Sequence, residues 1–263
     1  MELRGRTVLL TGATGGIGHA IARALHQEGA ELLLTGRRTD VLEPLAAETG
    51  GRAIACDLSD PAAVTRLAAE CSHADVLVAN AALPGSGRLA EFDSDRIDAS
   101  LDVNLRAPIV LTRLLLDGWT SRGSGHAVYI ASMAGKVASS GSSIYSATKF
   151  GLRGFGQALR DELHGSGIGV SVINPGFIRD AGMFADSGAS LPKTIGTNSP
   201  EDVAAAVVQA IRSNKGDVDV APAVVRVSGK LNALAPDLVA GLSRRLGAND
   251  VSAQIAAGQR NKR

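Results

Sequence analysis

The strongest constraint on the fold is an alternation between short apolar segments and longer stretches with helical periodicity. The apolar segments are predicted strands at Thr7–Thr11, Glu31–Thr35, Arg52–Cys56, Asp75–Ala79, Ala127–Ala131, Gly169–Ile173 and Asp217–Ala221. Between them lie predicted helices at Ile17–Glu28, around Asp40–Glu48, after Ser59 or Asp60 with Pro61, at about Ser94–Asp117, near Ser143–Leu163 and at Pro200–Ser213. Apolar strands separated by helices indicate a parallel sheet covered on both faces. The sequence therefore predicts a doubly wound α/β fold of about seven strands.

This pattern fits one large domain within the 263 residues of the chain. We assign residues 1–225 to a single catalytic domain and residues 226–263 to a C-terminal basic amphipathic helix and tail. One long interruption, Pro175–Asn198, is rich in Gly, Ser and Asp. Long irregular segments inside compact domains are usually functional, so we predict an active-site lid at about residues 177–198.

Composition excludes several classes of protein. The formal net charge of +1 gives no basis for nucleic acid as a partner. No apolar stretch reaches the roughly 18–20 residues of a membrane span, and the N-terminus lacks the apolar core of a signal peptide. The only two cysteines, Cys56 and Cys71, cannot form a disulfide framework, which favours a reducing cytoplasm. No residue is assigned to a metal site.

The C-terminal segment, residues 226–263, is basic, because seven cationic residues stand against two aspartates. An apolar stripe at helical spacing runs through Leu231, Leu234, Leu238, Leu242 and Leu246, with Val239 beside it. One interpretation is a helix that packs on its own subunit or on a neighbour's. The other is a basic amphipathic helix in peripheral contact with a membrane surface. The last residues, Ala256–Arg263, are expected to be frayed.

A glycine-rich turn follows the first predicted strand and precedes a helix. The stretch Thr11–Gly18 places glycines at Gly12, Gly16 and Gly18. Glycines allow a sharp turn and a close approach of the backbone to a pyrophosphate, which binds the free N–H groups at the helix N-terminus. The alternative is a turn that needs glycine for its conformation alone. In this strand–turn–helix context we predict a dinucleotide site.

The end of the second strand indicates which dinucleotide is bound. An NAD enzyme places an Asp or Glu here to bind the adenosine ribose, but this strand is followed by Arg37 and Arg38. Guanidinium groups suit a 2′-phosphate, so NADP(H) is favoured and NAD(H) is the alternative. The pair could also be a solvated face at the start of a helix.

These features and four further motifs resemble the short-chain dehydrogenase/reductase family, over about residues 5–222. The family's TGxxxGxG turn corresponds to Thr11–Gly18, its Asp after the third strand to Asp57, and its YxxxK pair to Tyr145 and Lys149. Its NNAG element corresponds to residues 79–82, with Ala82 in place of the final Gly. Its Pro-Gly after the sixth strand is present, but the Thr that often follows is absent from the stretch Phe177–Asp180.

The resemblance implies a single Rossmann-type domain with a defined set of site residues. The implied catalytic residues are Asn104, Ser132, Tyr145 and Lys149. The implied cofactor-binding residues are Gly12, Thr14, Gly15, Gly16, Ile17, Gly18, Arg37, Arg38, Asp57, Leu58, Asn80, Ala81, Tyr145, Lys149, Pro175, Gly176 and Ile178. Asn104 is expected by resemblance to position a water that refills the proton relay.

Spacing and chemistry explain this constellation. Tyr145 and Lys149 are four apart on a predicted helix, so they share one face. A phenol has a pKa near 10, and a nearby ammonium, helped by a nicotinamide cation, should lower the pKa of Tyr145 toward the working range. Ser132 follows the fifth strand, at the edge where open α/β sheets bind ligands. Each residue alone has a structural interpretation; their joint occurrence favours catalysis.

The predicted activity is interconversion of a ketone and a secondary alcohol by hydride transfer, with Tyr145 as general acid and base. Predicted substrate walls are mainly apolar, which favours an apolar or acyl substrate: Leu83, Met133, Val137, Phe177, Ile178, Met183, Phe184 and Leu191, with Arg179 and Lys193 as cations. The resemblance also implies a homotetramer or homodimer built on the two long helices. The alternative function is a non-catalytic sensor or scaffold that binds the dinucleotide without turnover.

Overall fold

A computed structural model describes residues 1–191, 195–237, 239, 241 and 248–259. Its sheet contains seven parallel strands in the order β3-β2-β1-β4-β5-β6-β7. The strands are β1 (Thr7–Thr11), β2 (Glu31–Gly36), β3 (Arg52–Ala55), β4 (Val76–Ala79), β5 (Gly125–Ile130), β6 (Ile168–Pro175) and β7 (Asp217–Val220). The predicted doubly wound fold is confirmed. Strand order reverses beside β1, which pairs with β2 on one side and β4 on the other.

Helices cover both faces of this sheet. They are α1 (Gly16–Gln27), α2 (Thr39–Thr49), α3 (Pro61–Glu70), α4 (Ser94–Leu101), α5 (Ala107–Arg122), α6 (Ser143–Glu162), α7 (Gly182–Ala185), α8 (Pro200–Ser213), α9 (Ala223–Leu234) and α10 (Ala248–Gly258). Alternate strand residues point to opposite faces. Thus Val8 and Leu10 pack in the core under α1, α2 and α8, whereas Leu9 packs in the core under α3, α5 and α6.

Two helix starts follow the sequence signals closely. Asp60 is the N-cap of α3, where its carboxylate accepts a hydrogen bond from the N–H of Ala62 at 2.8 Å. Pro61 occupies the first turn, where its missing N–H leaves no hydrogen bond unmade. Helix α8 begins in the same way. Ser199 precedes Pro200 and forms a reciprocal capping box with Asp202 in the first turn.

The single long helix predicted at Ser94–Asp117 is wrong in one respect. Helix α4 ends at Leu101, a π-helical turn covers Asp102–Arg106, and α5 continues to Arg122. The physical reason is Pro108 in the first turn of α5. Proline has no N–H to donate to the carbonyl four residues earlier, which belongs to Asn104, so the regular ladder is interrupted there.

The C-terminal stripe is also interrupted. Helix α9 ends at Leu234, before Pro236, because a residue preceding proline is disfavoured in the helical conformation. Val239 is buried, whereas Leu238, Leu242 and Leu246 lie outside the described residues. The expectation of frayed residues is wrong for Ala256–Gly258, which belong to α10; Arg260–Arg263 lie outside the described part.

Helix α9 also crosses the predicted boundary at residues 225 and 226. The division of the chain into a domain and an appendage therefore stays a prediction. Across the described ranges, no helix is both long and apolar enough to cross a membrane.

Candidate active site

A cavity of about 1540 Å³ lies at the carboxyl edge of the sheet. Its walls come from the segments that follow β1 to β6, together with α9 and residues near the C-terminus. This is the position where open α/β sheets bind ligands, beside the reversal of strand order. Its volume exceeds the roughly 300–1,000 Å³ of a pocket for one small molecule, so it has room for a dinucleotide and a substrate together.

The glycine turn is closed by contacts that exclude side chains. Gly12 has a φ of +64°, and a Cβ built there would lie 2.6 Å from the Cα of Ala81. A Cβ on Gly18 would collide with the carbonyl oxygen of Gly12. Gly15 is different, since its nearest neighbour would be 3.7 Å away. Gly16 also lacks space, because a Cβ there would collide with the Cβ of Ala181. The turn therefore requires glycine for its packing at three positions and leaves space over Gly15.

The N-terminus of α1 fits an anionic group. Its N-cap residue, Gly15, supplies no side-chain hydrogen bond, and the first turn carries no acidic residue. The first N–H groups of a helix have no intrahelical acceptor, and the helix dipole favours negative charge there. Because the turn packs without side chains over Gly15, the residues present fit the pyrophosphate of a dinucleotide.

The two arginines after β2 border the same cavity. Arg38 donates from Nη2 to the carbonyl oxygen of Thr14 at 2.5 Å, which ties its guanidinium to the glycine turn. Asp57 also lines the cavity and accepts hydrogen bonds from the N–H and hydroxyl of Ser59 at 3.0 and 2.8 Å. These bonds, with a smaller contribution from Arg37, hold the pKa of Asp57 below its usual value.

Asn80 fastens the end of β4 to the glycine turn. Its side-chain amide donates to the carbonyl oxygens of Thr11 and Gly12 at 3.2 and 3.0 Å. The hydroxyl of Thr11 accepts hydrogen bonds from the N–H groups of Asn80 and Ala81, each at 3.1 Å. These four bonds fix the relative positions of the two loops that border the reversal of strand order.

The predicted catalytic side chains Ser132, Tyr145 and Lys149 meet at one wall of the cavity. Ser132 follows β5, accepts a hydrogen bond from the N–H of Ala134 at 3.1 Å and donates to the carbonyl of Pro175 at 3.4 Å. Lys149 is buried and donates from Nζ to the carbonyl of Ile130 at 2.8 Å. Its Nζ lies 5.6 Å from the centre of the Tyr145 ring.

Two glycines allow loops to press on α6 beside these side chains. A Cβ on Gly85 would lie 2.9 Å from the backbone nitrogen of Tyr145. A Cβ on Gly135 would lie 2.7 Å from the carbonyl oxygen of Lys149. The loops after β4 and β5 therefore approach α6 more closely than side chains would allow, and this contact positions both residues.

Burial dominates the protonation of this pair. Desolvation raises the pKa of Tyr145 to about 12, although a hydrogen bond with Ser132 opposes the increase. Desolvation also lowers the pKa of Lys149 to about 8. Desolvation outweighs the hydrogen bond of Ser132, so the groups of the chain itself raise the pKa of Tyr145. The expected lowering by the ammonium together with the nicotinamide cation stays a prediction. At neutral pH the phenol is protonated.

Asn104 lies behind the cavity and not in its wall. It is fully buried in the π-helical turn. Its Oδ1 accepts from the N–H of Leu83 at 2.6 Å, while its Nδ2 donates to the Leu83 carbonyl at 2.9 Å. Its Nδ2 also lies 3.4 Å from the hydroxyl of Thr148. Asn104 thus joins the loop after β4 to α6.

All the other predicted site residues line the cavity. They are Gly12, Thr14, Gly15, Gly16, Ile17, Gly18, Arg37, Arg38, Asp57, Leu58, Asn80, Ala81, Ser132, Tyr145, Lys149, Pro175, Gly176 and Ile178. The structure therefore brings together predicted residues that are spread from Gly12 to Ile178 in the sequence. Their individual roles stay predictions.

The predicted lid is closed at its base by backbone pairing. Asn198 donates from its N–H to the carbonyl of Phe177 at 3.0 Å and accepts from the N–H of Arg179 at 2.9 Å. Within the lid, the rings of Phe177 and Phe184 pack edge to face, with centroids 5.2 Å apart. The predicted apolar walls Leu83, Met133, Val137, Phe177, Ile178, Met183, Phe184 and Leu191 all line the cavity.

The two cations predicted beside the lid have a different status. Arg179 is exposed, forms an ion pair with Asp180 at 3.4 Å and is not part of the cavity wall. Its charge is therefore directed to the surface, which corrects the expectation that it faces the substrate. Lys193 lies outside the described residues.

Comparison with known proteins identifies the family. The short chain dehydrogenase family matches residues 6–191, more than half of the chain. The chain belongs to the short-chain dehydrogenase/reductase family. Over 225 residues it is 39% identical to the ketoacyl reductase HetN of Nostoc sp., covering 82% of this chain and 78% of that protein. Over 256 residues it is 33% identical to dehydrogenase/reductase SDR family member 7B of Mus musculus, covering 90% and 79%.

A solved structure agrees with this assignment. The short-chain dehydrogenase from Sphingobium yanoikuyae in complex with NADPH superposes with a TM-score of 0.76 at 26% identity, covering 88% of this chain and 96% of that one. As a short-chain dehydrogenase/reductase, this chain is an oxidoreductase of a family that binds nicotinamide dinucleotides.

Sequence reasoning missed the part of this short-chain dehydrogenase's cavity that comes from the C-terminal segment. The additional lining residues are Val224, Val225, Ser228 and Leu231 of α9, with Val239, Ser252, Ile255 and Gln259. A signal for α9 was present, because Val224, Ser228 and Leu231 recur at helical spacing. The stripe from Leu231 onward was instead interpreted as one continuous helix. Nothing local to Gln259 indicates a cavity residue.

Proposed function

We propose that this protein is an NADP(H)-dependent oxidoreductase that interconverts a ketone and a secondary alcohol on an apolar or acyl substrate. The observation that carries the proposal is the convergence of Ser132, Tyr145 and Lys149 on a cavity that also contains the glycine turn. The cavity joins an anion-binding helix terminus to a proton donor, as carbonyl reduction requires.

Tyr145 is proposed to exchange the proton. In reduction its phenol donates a proton to the carbonyl oxygen, and in oxidation the phenolate takes the proton of the alcohol. Bound nicotinamide dinucleotide would supply or accept the hydride. Since burial raises the pKa of Tyr145 to about 12, the protonated phenol needed for reduction is the dominant form at neutral pH.

Ser132 and Lys149 are proposed to act on either side of this proton. Ser132, at the end of β5, would donate a hydrogen bond to the substrate oxygen as charge develops on it. Lys149 in its charged form would favour the phenolate of Tyr145, and it would also hold the cofactor ribose. Asn104 serves as a positioning residue through Leu83 and Thr148, and its expected part in holding a relay water stays a prediction.

The NADP(H) preference rests on Arg37 and Arg38. Both border the cavity after β2, and the hydrogen bond from Arg38 to Thr14 keeps that guanidinium beside the glycine turn. A guanidinium pairs well with a 2′-phosphate, and in the NADPH complex of the Sphingobium yanoikuyae protein the same fold is used with that dinucleotide. NAD(H) remains the alternative.

The substrate class rests on the eight apolar wall residues described above. Such walls fit an apolar ketone or an acyl chain better than a free sugar, because sugar hydroxyls would lose hydration without replacement. The name of the ketoacyl reductase HetN from Nostoc sp. supports an acyl substrate for this chain as well.

Turnover with a matched pair of tyrosine variants tests the proposal. Purified protein is assayed with NADPH against ketones and 3-oxoacyl thioesters, and with NADP against the matching alcohols. Tyr145→Phe should lower kcat by about 10²–10⁴-fold, the usual contribution of a general acid. Tyr129→Phe is the control, because Tyr129 is the only other tyrosine and contacts Thr112 in the core. Tight dinucleotide binding without turnover on any substrate would favour the sensor.

Dinucleotide affinity tests the cofactor preference. Arg38→Gln should weaken NADPH binding by at least about tenfold, since hydrogen bonds to charged groups contribute about 1.5–3 kcal/mol, while NADH affinity should change less than twofold. Arg23→Gln, which removes an exposed partner of Glu48, is the control. An unaltered protein that binds NADH as tightly as NADPH would contradict the preference.

We further propose that the protein is a homodimer or homotetramer. Leu101, Leu114 and Phe150 are exposed on α4, α5 and α6, and exposed apolar side chains on neighbouring elements are typical of protein interfaces. Light scattering during gel filtration should give two or four chains, and Phe150→Glu should reduce that number. A monomer for the unaltered protein would contradict this proposal.

A peripheral membrane contact of the C-terminal segment is supported by α9. This helix exposes Val227 and Leu234 beside Arg226 and Lys230, a combination suited to an anionic surface. Co-sedimentation with anionic vesicles at low salt, lost at high salt, is the expected result. If the protein does not co-sediment with the vesicles, the remaining interpretation is that the segment packs on its own subunit or on a neighbour's.

The proposed compartment is the cytoplasm, where the buried, free Cys56 and Cys71 would stay reduced.

A further inference from the structure

The C-terminal helix α10 rests on the predicted lid. Its Gln254 accepts a hydrogen bond from the N–H of Ser190 at 3.1 Å. At its end, Gly258 approaches Ser187 so closely that a Cβ there would collide with the backbone of Ser187. The helix therefore meets the lid through one amide and through a backbone contact without space for a side chain.

Gln259, the residue after α10, brings a side-chain amide to the cavity wall. It is only 1% exposed and belongs to the cavity wall. Its Nε2 donates to the carbonyl oxygen of Met183 in the lid at 2.8 Å. Its Oε1 is buried, and no hydrogen-bond partner for it is present in the described part of the chain.

The orientation of this amide follows from its neighbour. A carbonyl oxygen only accepts hydrogen bonds, so the Gln259 atom facing the Met183 carbonyl must be the NH₂ group. The flipped arrangement would place two acceptors against each other. The atom left over is therefore an acceptor, and a buried acceptor without a partner is unfavourable.

The location of this acceptor is distinctive. Among the described cavity-lining residues, only Thr35 also has a buried side-chain oxygen without a partner, and Thr35 lies in β2, on the side of Arg37 and Arg38. Gln259 instead follows α10 on the side of Ser252 and Ile255, which also line the cavity, and its N–H donates to the carbonyl of Ile255 at 3.2 Å. Its surroundings include the apolar lid.

We propose that Oε1 of Gln259 is a substrate-binding group, which accepts a hydrogen bond from a hydroxyl or amide N–H carried by the substrate away from its reacting carbonyl. This inference rests on the proposed function and narrows its substrate class to apolar ketones that carry such a donor. A substrate without the donor would leave the buried oxygen unpaired, and sites built in this way discriminate between such substrates.

Matched substrates and matched glutamine variants test the inference. Ketones of increasing chain length are prepared in pairs, in which one member ends in a hydroxyl group and the other in a methyl group. In a second series, each ketone carries either an amide or the corresponding ester. For the best chain length, the unaltered protein should prefer the donor-bearing member by about tenfold in kcat/KM, equivalent to one hydrogen bond of about 1.4 kcal/mol. Gln259→Leu should reduce this preference to less than twofold.

Gln254→Leu is the control, because it removes the other glutamine that bonds the lid but does not line the cavity. It should keep the preference even where it changes both rates. Gln259→Met, which keeps the length of the side chain, should behave as Gln259→Leu, and thermal unfolding checks that every variant is folded. If Gln259→Leu lowers kcat/KM equally for both members of a pair, Gln259 only fastens the lid and the inference is wrong.

Equilibrium binding separates this inference from the proposed function. The same pairs are titrated by calorimetry into protein saturated with NADP. A preference in Kd that Gln259→Leu abolishes supports the inference even without turnover, in which case only the proposed reaction fails. Equal Kd values within every pair, for the unaltered protein, overturn the inference whether or not turnover is observed.

Discussion

The glycine turn, Thr11–Gly18, and the closing wall, formed by residues 177–191 with α9 and α10, border one cavity and are packed by different means. The two regions meet where Gly16 faces Ala181. In the glycine turn the backbone atoms themselves are in contact, and a Cβ on Gly12 would lie 2.6 Å from Ala81. The closing wall also has a close backbone contact, between Gly258 and Ser187, but around the cavity it is packed by side chains, such as the edge-to-face pair of Phe177 and Phe184.

This difference has consequences for stability and for specificity. A turn without space for a Cβ has a single acceptable arrangement, so changes there affect folding and dinucleotide binding for every substrate. Half-buried side chains can be exchanged at a smaller energetic cost. The comparison implies that the glycine turn determines whether the enzyme works and that the closing wall determines on which substrate.

The largest expected effect comes from a pair of substitutions in the glycine turn. Gly12→Ala should lower the free energy of unfolding by roughly 2–6 kcal/mol, since a positive φ and overpacking each cost about 1–3 kcal/mol. Gly15→Ala should change it by less than about 1 kcal/mol, because the new Cβ meets no atom within 3.7 Å. Urea unfolding without dinucleotide measures both.

A similar loss of stability in the two glycine variants would contradict the role of close backbone packing. A small loss in both would mean that the loop of Ala81 moves aside readily. In either event the glycine turn would no longer differ from the closing wall in the way described.

The second effect concerns Lys149, which lines the same cavity. Folded Lys149 releases its proton near pH 8, since burial lowers its pKa to about 8, whereas an unfolded lysine does so near pH 10.4. Between these values the unfolded chain binds more protons, so the free energy of unfolding increases with pH. The increase should be about 1.4 kcal/mol per pH unit, and about 3 kcal/mol in all.

Lys149→Met isolates this contribution. The unfolding free energies of both proteins are measured by urea titration from pH 7.5 to pH 10. Tyr145 acts in the opposite direction above about pH 9, because its pKa is raised from about 10 in the unfolded chain, but Tyr145 is present in both proteins. The free energy of unfolding of the unaltered protein minus that of the variant should increase with pH. Parallel curves would mean that Lys149 is hydrated in the folded protein.

The two regions also differ in how far the sequence predicts them. The strand, glycine turn and N-terminus of α1 are consecutive in the sequence, so local patterns predict both the fold and the anion site. Gln259 meets Met183 across a separation of 76 residues, which no local pattern encodes. Burial also has no local signature, so no local pattern predicts that the groups of the chain itself raise the pKa of Tyr145.

The sequence predicts some helix ends and misses others. The caps at Asp60 and Ser199 are local and were predictable in position. The interruptions at Pro108 and Pro236 have local causes too, but periodic apolar residues on both sides of each proline indicate continuous helices. In this chain, therefore, a proline predicts the end of a helix more reliably than a continuous apolar stripe predicts that the helix goes on.

The smallest expected effect compares two edge-to-face ring pairs. Phe184→Ala should raise KM for an apolar ketone by about 3–10-fold, since such a pair contributes about 0.5–1.5 kcal/mol beyond its buried area, and should leave the Kd of NADPH unchanged. Phe155 packs against Tyr129 with nearly the same geometry, 5.5 Å and 63°, but at the edge of the core and outside the cavity wall. Phe155→Ala should lower the free energy of unfolding and leave KM unchanged. If Phe184→Ala instead weakens NADPH binding as much as ketone binding, the closing wall also holds the dinucleotide, and substrate choice cannot be assigned to one side of the cavity.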